Sequence, residues 1–419
     1  MFTRYICGLD IGSSKVAAAL AVLTRGTISG LFFEVAESRG VSKGCVVDSV
    51  ELVEVVSRVL KGLKAKSGVS VKSLHANISG QNIVTKHSRS IIPLAERGNK
   101  MITALDIEKV VQQAFILGST IEEEVLHQIP VSFCVDHKAN IANPAGLFGH
   151  KLEVDLYLIC ARLAAVQTIA YAINQAGCDV EEISVSGLAT CEAVFDDGFR
   201  SGNNILCDIG ADFTELVFVR DGALRSLHIL PMGGADLARA ITEGLSVSED
   251  LTRQILSSYG TVDDHPALDQ DQDQQMLVRS DTGFQPVSRK QVAGILNAKT
   301  ASLCLFLKDV IEKEISLSEV RRFVLCGRTA LQEGFIEMVE SRMGIPVEFA
   351  RILESRIASL TAHHPGLSGR KYLTFATALG MVCKELTGYT PKTVVKPKLS
   401  HNPLVRTVHK LKEVYQEYF

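Results

Sequence analysis

The chain has 419 residues, of which 46% are hydrophobic and 22% are charged, and its formal net charge is -3. This length predicts two or more domains, and the small net charge gives no overall attraction to nucleic acid, so we expect no nucleic-acid partner. The ten cysteines lie mostly in apolar runs without a Cys-x-x-Cys pair, which favours reduced thiols over disulfides or a zinc site. No apolar run approaches the roughly 20 residues of a membrane span, and no signal peptide is apparent. We expect a cytoplasmic protein whose membrane contact is peripheral.

The first half of the chain alternates strands and helices. Apolar runs bounded by glycine predict consecutive strands at 5–11, 16–23 and 28–36. Apolar residues at helical spacing predict an amphipathic helix at 48–66, starting near Asp48. Residues 84–165 combine strand-like runs with a helix at 104–117, which indicates a small α+β unit inserted into the first domain.

The second half begins like the first. A strand, a turn and another strand open a second domain at residue 204. The pattern then predicts helical structure at 235–260, a long helix at 289–313 and a strand, turn and helix from 321 onward. The alternating Asp residues of the segment 263–275 lack the glycine and the terminal Glu of an EF-hand, so we interpret it as an exposed loop.

The first turn reads Asp-x-Gly-Ser-Ser-Lys and lies between two strands, as expected of a phosphate-binding hairpin. Glycine lets backbone N–H groups approach an anion closely, and hydroxyls add further donors. Gly12, Ser13, Ser14 and Lys15 are therefore candidate phosphate ligands. Asp10 would instead hold a water molecule of a bound Mg²⁺, an ion that keeps most of its hydration shell. Taken alone, this turn is also compatible with an ordinary loop.

A second turn of the same kind follows about 200 residues later, again between two apolar strands. Its candidate ligands are Asp208, Gly210, Asp212 and Thr214, with Asp208 as a second holder of Mg²⁺-bound water. Further along, the pair Gly233–Gly234 precedes a helix, and helix N-termini favour phosphate. The repetition makes a chance match less probable than one turn alone would.

Together these motifs resemble the actin/Hsp70/sugar-kinase superfamily, in which two related domains clamp ATP between two phosphate hairpins. The resemblance implies an α/β, actin-like ATPase fold with two related domains around a nucleotide cleft. Within the superfamily, the string Asn-Pro-x-Gly-Leu-x-Gly at 143–149 and the segments 38–48, 74–80, 126–161 and 186–195 are similar to FtsA, a bacterial cell-division family. That similarity implies an FtsA-type inserted α+β subdomain, called 1C, in domain 1.

The resemblance also implies a set of domain boundaries. They are 1–84 and 166–203 for the core of domain 1 (1A), 85–165 for subdomain 1C, 204–237 and 319–385 for the core of domain 2 (2A), 238–318 for the outer subdomain 2B, 386–402 for a flexible linker, and 403–419 for a C-terminal amphipathic membrane-targeting helix.

Several candidate site residues come from the resemblance, and some of them depart from the family pattern. Arg253 lies where the adenosine would be flanked, and Gly327 and Arg328 lie where the base would be gripped; arginine is able to stack on adenine or to bind a hydroxyl. Asp212 replaces a glycine and brings a negative charge toward the phosphates. Glu192 falls in the region that positions the attacking water in hydrolysing relatives, or else it is an ordinary polar residue. We expect ATP and Mg²⁺ to bind, with weak or no ATPase activity.

The last residues predict an amphipathic helix with an apolar stripe and basic neighbours, which is typical of helices that lie in the headgroup region of anionic membranes. The candidate membrane residues are Leu404, Val405, Arg406, Val408, Lys410, Leu411, Lys412, Tyr415, Tyr418 and Phe419. The alternative is a terminal helix that docks on its own domain. The Pro-, Thr- and Lys-rich linker before it favours the membrane interpretation.

The family resemblance implies an actin-like cell-division protein that polymerises on the cytoplasmic membrane at the division site. It would anchor the tail of the tubulin-like FtsZ through subdomain 2B and recruit later membrane proteins of the divisome. Two alternatives remain. A small-molecule kinase of the same superfamily needs a catalytic Asp between the two hairpins, and residues 150–204 offer no convincing candidate. A pilus-assembly relative of FtsA would share the insertion but lack the membrane-seeking tail.

Overall fold

The computed structural model describes residues 3–25, 27–95, 98–195, 199, 201–262, 275–280, 283–352, 357, 367 and 370–387. The expected acidic loop up to residue 274, the linker beyond residue 387 and the membrane helix 403–419 lie outside these residues. The described residues form two compact units. Unit 1 lies within Met1–Val84, Ile121–Glu124 and Ala161–Tyr389, and unit 2 comprises Thr85–Thr120 and Val125–Cys160. The finer domain boundaries stay predictions.

The strands range from 2 to 13 residues in length. In chain order they are β1 Thr3–Ile11, β2 Lys15–Thr24, β3 Thr27–Glu37, β4 Val41–Ser42, β5 Cys45–Val46, β6 Ser73–Ile78, β7 Ile83–Pro93, β8 Lys100–Met101, β9 Glu123–Val135, β10 Lys138–Ile141, β11 Phe148–Gly149, β12 Lys151–Arg162, β13 Asp179–Val185, β14 Asn203–Ile209, β15 Thr214–Arg220, β16 Ala223–Leu230, β17 Gln275–Ser280, β18 Gly283–Ser288, β19 Val320–Cys326 and β20 Val347–Phe349. The three consecutive strands expected at the start of the chain are confirmed as β1, β2 and β3.

The α-helices lie between these strands. They are α1 Ser49–Ser67, α2 Ala104–Gly118, α3 Leu163–Gln175, α4 Ser186–Val194, α5 Gly234–Leu245, α6 Glu249–Tyr259, α7 Arg289–Glu314, α8 Phe335–Met343 and α9 Ala376–Thr387. The expected helices at 48–66, 104–117 and 289–313 are confirmed as α1, α2 and α7. Helix α1 begins after Asp48, whose carboxylate accepts hydrogen bonds from the N–H groups of Val50 and Glu51 and so caps the helix.

The helical structure expected at 235–260 is confirmed as two helices, α5 and α6. Ser246 separates them because it adopts a left-handed conformation, with a φ of 51°. Ser248 then starts α6, since its side chain accepts a hydrogen bond from the N–H of Leu251.

Unit 1 contains two five-stranded sheets built on the same plan. Their strand orders are β13-β6-β1-β2-β3 and β16-β15-β14-β19-β20. In the first sheet β1 pairs antiparallel with β2 and parallel with β6, and in the second β14 pairs antiparallel with β15 and parallel with β19. The sequence repeat is therefore a repeat of structure. It places two equivalent turns, β1–β2 and β14–β15, at equivalent strand ends.

Helix α9 packs against β1 and α4 at distances that only glycine allows. A Cβ atom on Gly8 would lie 2.2 Å from the carbonyl oxygen of Ala378, and one on Gly380 would lie 1.6 Å from that of Ala189. Any larger side chain at these positions would force the elements apart. This close packing fixes the strand that leads into the first turn.

Unit 2 is an α+β unit with a sheet in the order β10-β9-β12-β7 and the helix α2. Its core contains Val110, Ala114, Leu152 and Leu156, all of them fully buried. Among the described residues of the whole chain, no helix is long and apolar enough to cross a membrane. All ten cysteines are described; they are free thiols, and most of them are buried, as expected.

The start of α2 is held by a charged capping box. The carboxylate of Asp106 accepts hydrogen bonds from the backbone N–H of Thr103 at 3.0 Å and from the ammonium of Lys100 at 2.8 Å. The Lys100 and Thr103 side chains lower the pKa of Asp106 from 3.8 to about 2. Because folding lowers this pKa, the carboxylate stabilises the folded state above about pH 4 and loses that contribution as the pH falls toward 2.

Replacing Asp106 with Asn is therefore expected to destabilise α2 at pH 7, by about 1–3 kcal/mol for the lost cap and charged hydrogen bonds. Hydrogen exchange of the α2 amides in the full chain measures this effect, which should shrink as the pH is lowered toward 2. The exposed Glu108→Gln on the same helix is the matched control. Equal protection of α2 in wild type and Asp106→Asn at pH 7 would contradict the capping role.

Candidate functional site

A cleft of about 670 Å³ opens in unit 1 between the two repeated turns. Its size lies within the range of small-molecule and cofactor pockets, roughly 300–1,000 Å³. Most of the residues predicted to bind nucleotide line it, namely Asp10, Gly12, Ser13, Ser14, Lys15, Asp208, Gly210, Asp212, Gly234, Arg253, Gly327 and Arg328. The structure thus brings together residues that lie as much as 318 positions apart in the chain, Asp10 and Arg328.

The two turns are closed by the same hydrogen bond. In the first turn, the N–H of Gly12 donates to the carbonyl oxygen of Lys15 at 2.9 Å; in the second, the N–H of Gly210 donates to that of Phe213, also at 2.9 Å. Two residues form the tip of each turn, Ser13–Ser14 in the first and Ala211–Asp212 in the second. The turns are equivalent in backbone geometry although their tips differ in chemistry.

Asp10 is buried and held in place by Asn77. The side-chain amide of Asn77 donates to the Asp10 carboxylate at 2.8 Å, while its carbonyl oxygen accepts from the N–H of Ile11 at 2.6 Å. The ammonium of Lys15 contacts the same carboxylate rather than standing alone in the cleft. Sequence reasoning missed Asn77, whose signal was an amide in the otherwise apolar end of β6.

Asp208 faces the same cleft from the second turn. Burial raises the pKa of its carboxyl to about 6, and the charge of Asp10 adds to the rise. The Thr190 hydroxyl donates to the Asp208 carboxylate at 3.1 Å and opposes this shift. Two carboxylates that disfavour each other's charge in a shared cleft are a donor set suited to a hard divalent cation, so the residues fit Mg²⁺.

Glu215 is a further acidic residue of the cleft that sequence reasoning missed. Its carboxylate accepts a hydrogen bond from the N–H of Gly187 at 2.5 Å and another from the Ser79 hydroxyl. Burial raises the pKa of Glu215 to about 7, and the charges of Asp208 and Asp10 add to the rise. A carboxyl group with a pKa near 7 is able to act as a general base at physiological pH. The signal in the sequence was one Glu within the buried strand β15.

Three predicted residues lie outside the cleft lining. Thr214 is fully buried and its hydroxyl donates to the carbonyl oxygen of Met232 at 2.8 Å. Glu192 is half-buried away from the lining; burial raises its pKa to about 7, against the charge of Lys384. Gly233 is also absent from the lining. Of the two glutamates, the structure places Glu215 in the cleft and Glu192 beyond it.

The glycine pair before α5 packs on the second turn. A Cβ atom on Gly233 would lie 2.4 Å from the carbonyl oxygen of Ala211, which explains the glycine. The N–H of Gly234 donates to the carbonyl oxygen of Gly210 at 3.0 Å, and the N–H of Ala235 to that of Ala211 at 2.8 Å. These amides hold the turn in this structure. Their role as phosphate donors stays a prediction.

Both arginines connect the two sides of the cleft. Arg328 donates to the Ser14 hydroxyl at 3.1 Å, so that a residue after β19 touches the first turn. Arg253 in α6 pairs with Glu37 at 3.1 Å and also contacts Asp250. The ion pairs of Arg253 are exposed, so each contributes little to stability, typically below about 1 kcal/mol. Both arginines line the cleft.

Two family models match the chain. The model described as "SHS2 domain inserted in FTSA" matches residues 80–160, and the model described as "Cell division protein FtsA" matches residues 205–380. The chain belongs to the FtsA family. The resemblance to FtsA that the sequence indicated is confirmed. The expected insertion is confirmed as well, since the structure shows it as an α+β unit. Of the functions considered from the sequence, the family match therefore supports cell division.

Relatives named cell division protein FtsA extend this match along the chain. The Streptococcus pneumoniae protein is 26% identical over 344 residues, which is 82% of this chain and 75% of the relative. The Borreliella burgdorferi protein is 26% identical over 370 residues, which is 85% of this chain and 88% of the relative.

Solved structures show the same fold at low sequence identity. The PilM–PilN type IV pilus biogenesis complex has a TM-score of 0.61 at 16% identity, covering 91% of this chain and 98% of that one. MreB5 of Spiroplasma citri bound to ADP has a TM-score of 0.53 at 9% identity, covering 92% and 99%. The expected actin-like fold is confirmed.

The raised pKa of Glu215 predicts a pH-dependent stability. Folding raises this pKa from 4.5 to about 7, so Glu215 destabilises the folded state progressively as the pH rises through that interval. The free energy of unfolding of Glu215→Gln, relative to that of wild type, should therefore rise by on the order of 2 kcal/mol from pH 5 to pH 8. Urea unfolding at both pH values measures the difference. The exposed Glu54→Gln should show no such trend, and a pH-independent difference for Glu215→Gln would refute the assignment.

Proposed function

We propose that this chain is an actin-like cell-division protein that binds Mg²⁺-ATP in the cleft of unit 1. The observation that carries the proposal is the pair of equivalent turns, each preceded by an aspartate, that face one cleft of about 670 Å³. Structures of MreB5 of Spiroplasma citri with ADP and with AMPPNP support nucleotide as the ligand, since they share this fold.

The cleft residues divide into distinct roles. Asp10 and Asp208 would hold waters of Mg²⁺, which neutralises charge on the phosphates when it is bound. Asn77 keeps the Asp10 carboxylate oriented. Ser13 and Ser14 present hydroxyls and backbone amides to phosphate oxygens, and Lys15 exchanges its contact with Asp10 for one with phosphate.

The rest of the cleft would hold adenosine, and hydrolysis would be slow. Arg253 and Arg328 line the cleft and offer planar guanidinium groups for stacking or for a ribose hydroxyl. Glu215 is the carboxyl group in the cleft whose pKa suits a water-activating base. Asp212 would weaken the binding of the phosphates, because it adds a negative charge near them. We therefore expect ATP binding with weak or no ATPase activity.

Family membership supports the cellular part of the proposal. The chain would polymerise on the cytoplasmic face of the membrane at the division site, bind the FtsZ tail through subdomain 2B at 238–318, and recruit later membrane proteins of the divisome. The segment 403–419 would attach to anionic lipid through its apolar stripe and basic side chains. A single amphipathic helix binds reversibly, so polymerisation would supply avidity.

Calorimetric titration with ATP in the presence of Mg²⁺ tests the nucleotide proposal. The variant Asp10→Asn removes one Mg²⁺-directed charge, so we expect affinity to fall at least about tenfold and its dependence on Mg²⁺ to weaken. The exposed Asp179→Asn is the matched control. ATP binding that is absent in wild type, or unchanged in Asp10→Asn, would overturn the assignment of the cleft.

Co-sedimentation with vesicles tests the membrane proposal. The full chain should pellet with vesicles containing anionic lipid, and a chain ending at Lys398 should stay in the supernatant, because it lacks the amphipathic segment. Added salt should weaken pelleting of the full chain, since part of the attraction is electrostatic. Equal pelleting of the two chains would count against a membrane-targeting helix.

A further inference from the structure

Two very short strands, β4 and β5, form a hairpin that we call the flap, residues 41–46. Val41 pairs with Val46 and Ser42 with Cys45, so only two residues form the turn. Both of them, Lys43 and Gly44, have positive φ angles, 49° and 66°. Two consecutive left-handed residues are typical of a type I′ turn, the tight turn that suits a two-residue hairpin. The flap is therefore a defined projection with a sharp tip.

The backbone amides at this tip donate to both nucleotide-binding turns. The N–H of Lys43 donates to the carboxylate of Asp212 at 2.7 Å. The N–H of Gly44 donates to the hydroxyl of Ser13 at 3.3 Å. Ser13 and Asp212 are tip residues of the first and the second turn, so the flap connects the two turns directly. None of the sequence motifs indicated this contact.

Close packing holds the flap beside Glu215. A Cβ atom on Gly44 would lie 2.7 Å from the carbonyl oxygen of Ser79, the residue whose hydroxyl donates to the Glu215 carboxylate. A Cβ atom on Gly80 would lie 2.9 Å from the ring of Phe213 in the second turn. The flap therefore borders the part of the cleft that contains the candidate base. If Glu215 activates the attacking water, a bound ATP would have its terminal phosphate in this part of the cleft, because that is the phosphate that water attacks.

Asp212 occupies the position of an anionic acceptor at the flap tip. Carboxylate and phosphate oxygens both accept hydrogen bonds from backbone N–H groups. A terminal phosphate between the turns would compete with Asp212 for the same amides. It would also be repelled by that carboxylate, since like charges a few Å apart disfavour each other. One set of donors thus has two mutually exclusive acceptors.

We propose that the flap is an ATP-selective contact and that Asp212 is its internal substitute for phosphate. With ATP bound, the amides of Lys43 and Gly44 donate to the terminal phosphate; with ADP or without nucleotide, Asp212 keeps the flap closed. This proposal rests on the proposed function, since it concerns the same cleft. It adds the element that distinguishes ATP from ADP.

Nucleotide affinities of two variants test the charge of Asp212. Calorimetry with Mg²⁺-ATP and Mg²⁺-ADP should show ATP binding about tenfold tighter in Asp212→Ala and Asp212→Asn, because the repulsion is removed, and ADP binding should be unchanged. Asp221→Asn is the matched control, since its exposed carboxylate also accepts a backbone N–H, that of Gly202 at 2.8 Å. Equal effects on ATP and ADP would overturn the proposal.

The thiol of Cys45 reports on the position of the flap. It is half-buried, and its sulfur accepts hydrogen bonds from Gln81 at 3.1 Å and Asn82 at 3.3 Å. Alkylation of Cys45, followed by peptide mass spectrometry, should be several-fold faster in Asp212→Ala without nucleotide than in wild type. ATP should restore slow alkylation in this variant and ADP should not. The half-buried Cys134 is the internal reference within the same samples.

The variant Asp212→Asn separates the two parts of the proposal. Asparagine keeps an acceptor for the Lys43 amide but has no charge, so Cys45 should stay slowly alkylated while ATP affinity rises. Equal rates of Cys45 alkylation in wild type and Asp212→Ala without nucleotide would overturn the proposed role of the flap, even if both chains bind ATP. A wild-type chain that binds neither nucleotide would instead overturn the proposed function, and the flap inference with it.

Discussion

The like charges of Asp10 and Asp208 are the constraint on which this cleft depends. Each aspartate lies near the end of a strand whose position is fixed by its sheet, so the two carboxylates cannot move far apart. Burial raises the pKa of Asp208, and the charge of Asp10 raises it further. The surrounding side chains partly offset this cost: Lys15 contacts Asp10, Asn77 donates to it, and Thr190 donates to Asp208. A bound divalent cation would complete the compensation.

This constraint exists because the chain uses one structural plan twice. In both sheets of unit 1 a strand turns back on an antiparallel neighbour and pairs in parallel with a later strand. The turn is closed each time by one hydrogen bond of the same length. A ligand held between the turns would contact both sheets at once. Nucleotide binding and the arrangement of the two halves are then linked, since a ligand stabilises the arrangement that it binds.

The departures from the family pattern gain a physical meaning from their contacts. Asp212 accepts the Lys43 amide, Arg328 donates to Ser14, and Arg253 pairs with Glu37. Each of these contacts joins one side of the cleft to the other. These three residues thus connect the two sides of the cleft without ligand. In the proposed complex, ATP would exchange these contacts for its own, which would lower its net affinity and make the exchange sensitive to the terminal phosphate.

The sequence by itself determined the local features. Apolar strands interrupted by Asp-x-Gly predicted both turns, helical spacing predicted α1, α2 and α7, and the family resemblance predicted the fold and the insertion. These features depend on neighbouring residues, so their pattern is visible in the chain. Helices α5 and α6 are separated by Ser246, whose left-handed backbone redirects the chain.

The tertiary structure alone decided which side chains share the cleft. Asn77 in β6 and Glu215 in β15 line the cleft, whereas Glu192 in α4 does not. Threonine is a common phosphate ligand, yet the Thr214 hydroxyl donates its hydrogen bond to the carbonyl oxygen of Met232. The flap contact with Asp212 joins residues 169 positions apart. Such juxtapositions depend on packing between distant segments, and no local pattern encodes packing of that kind.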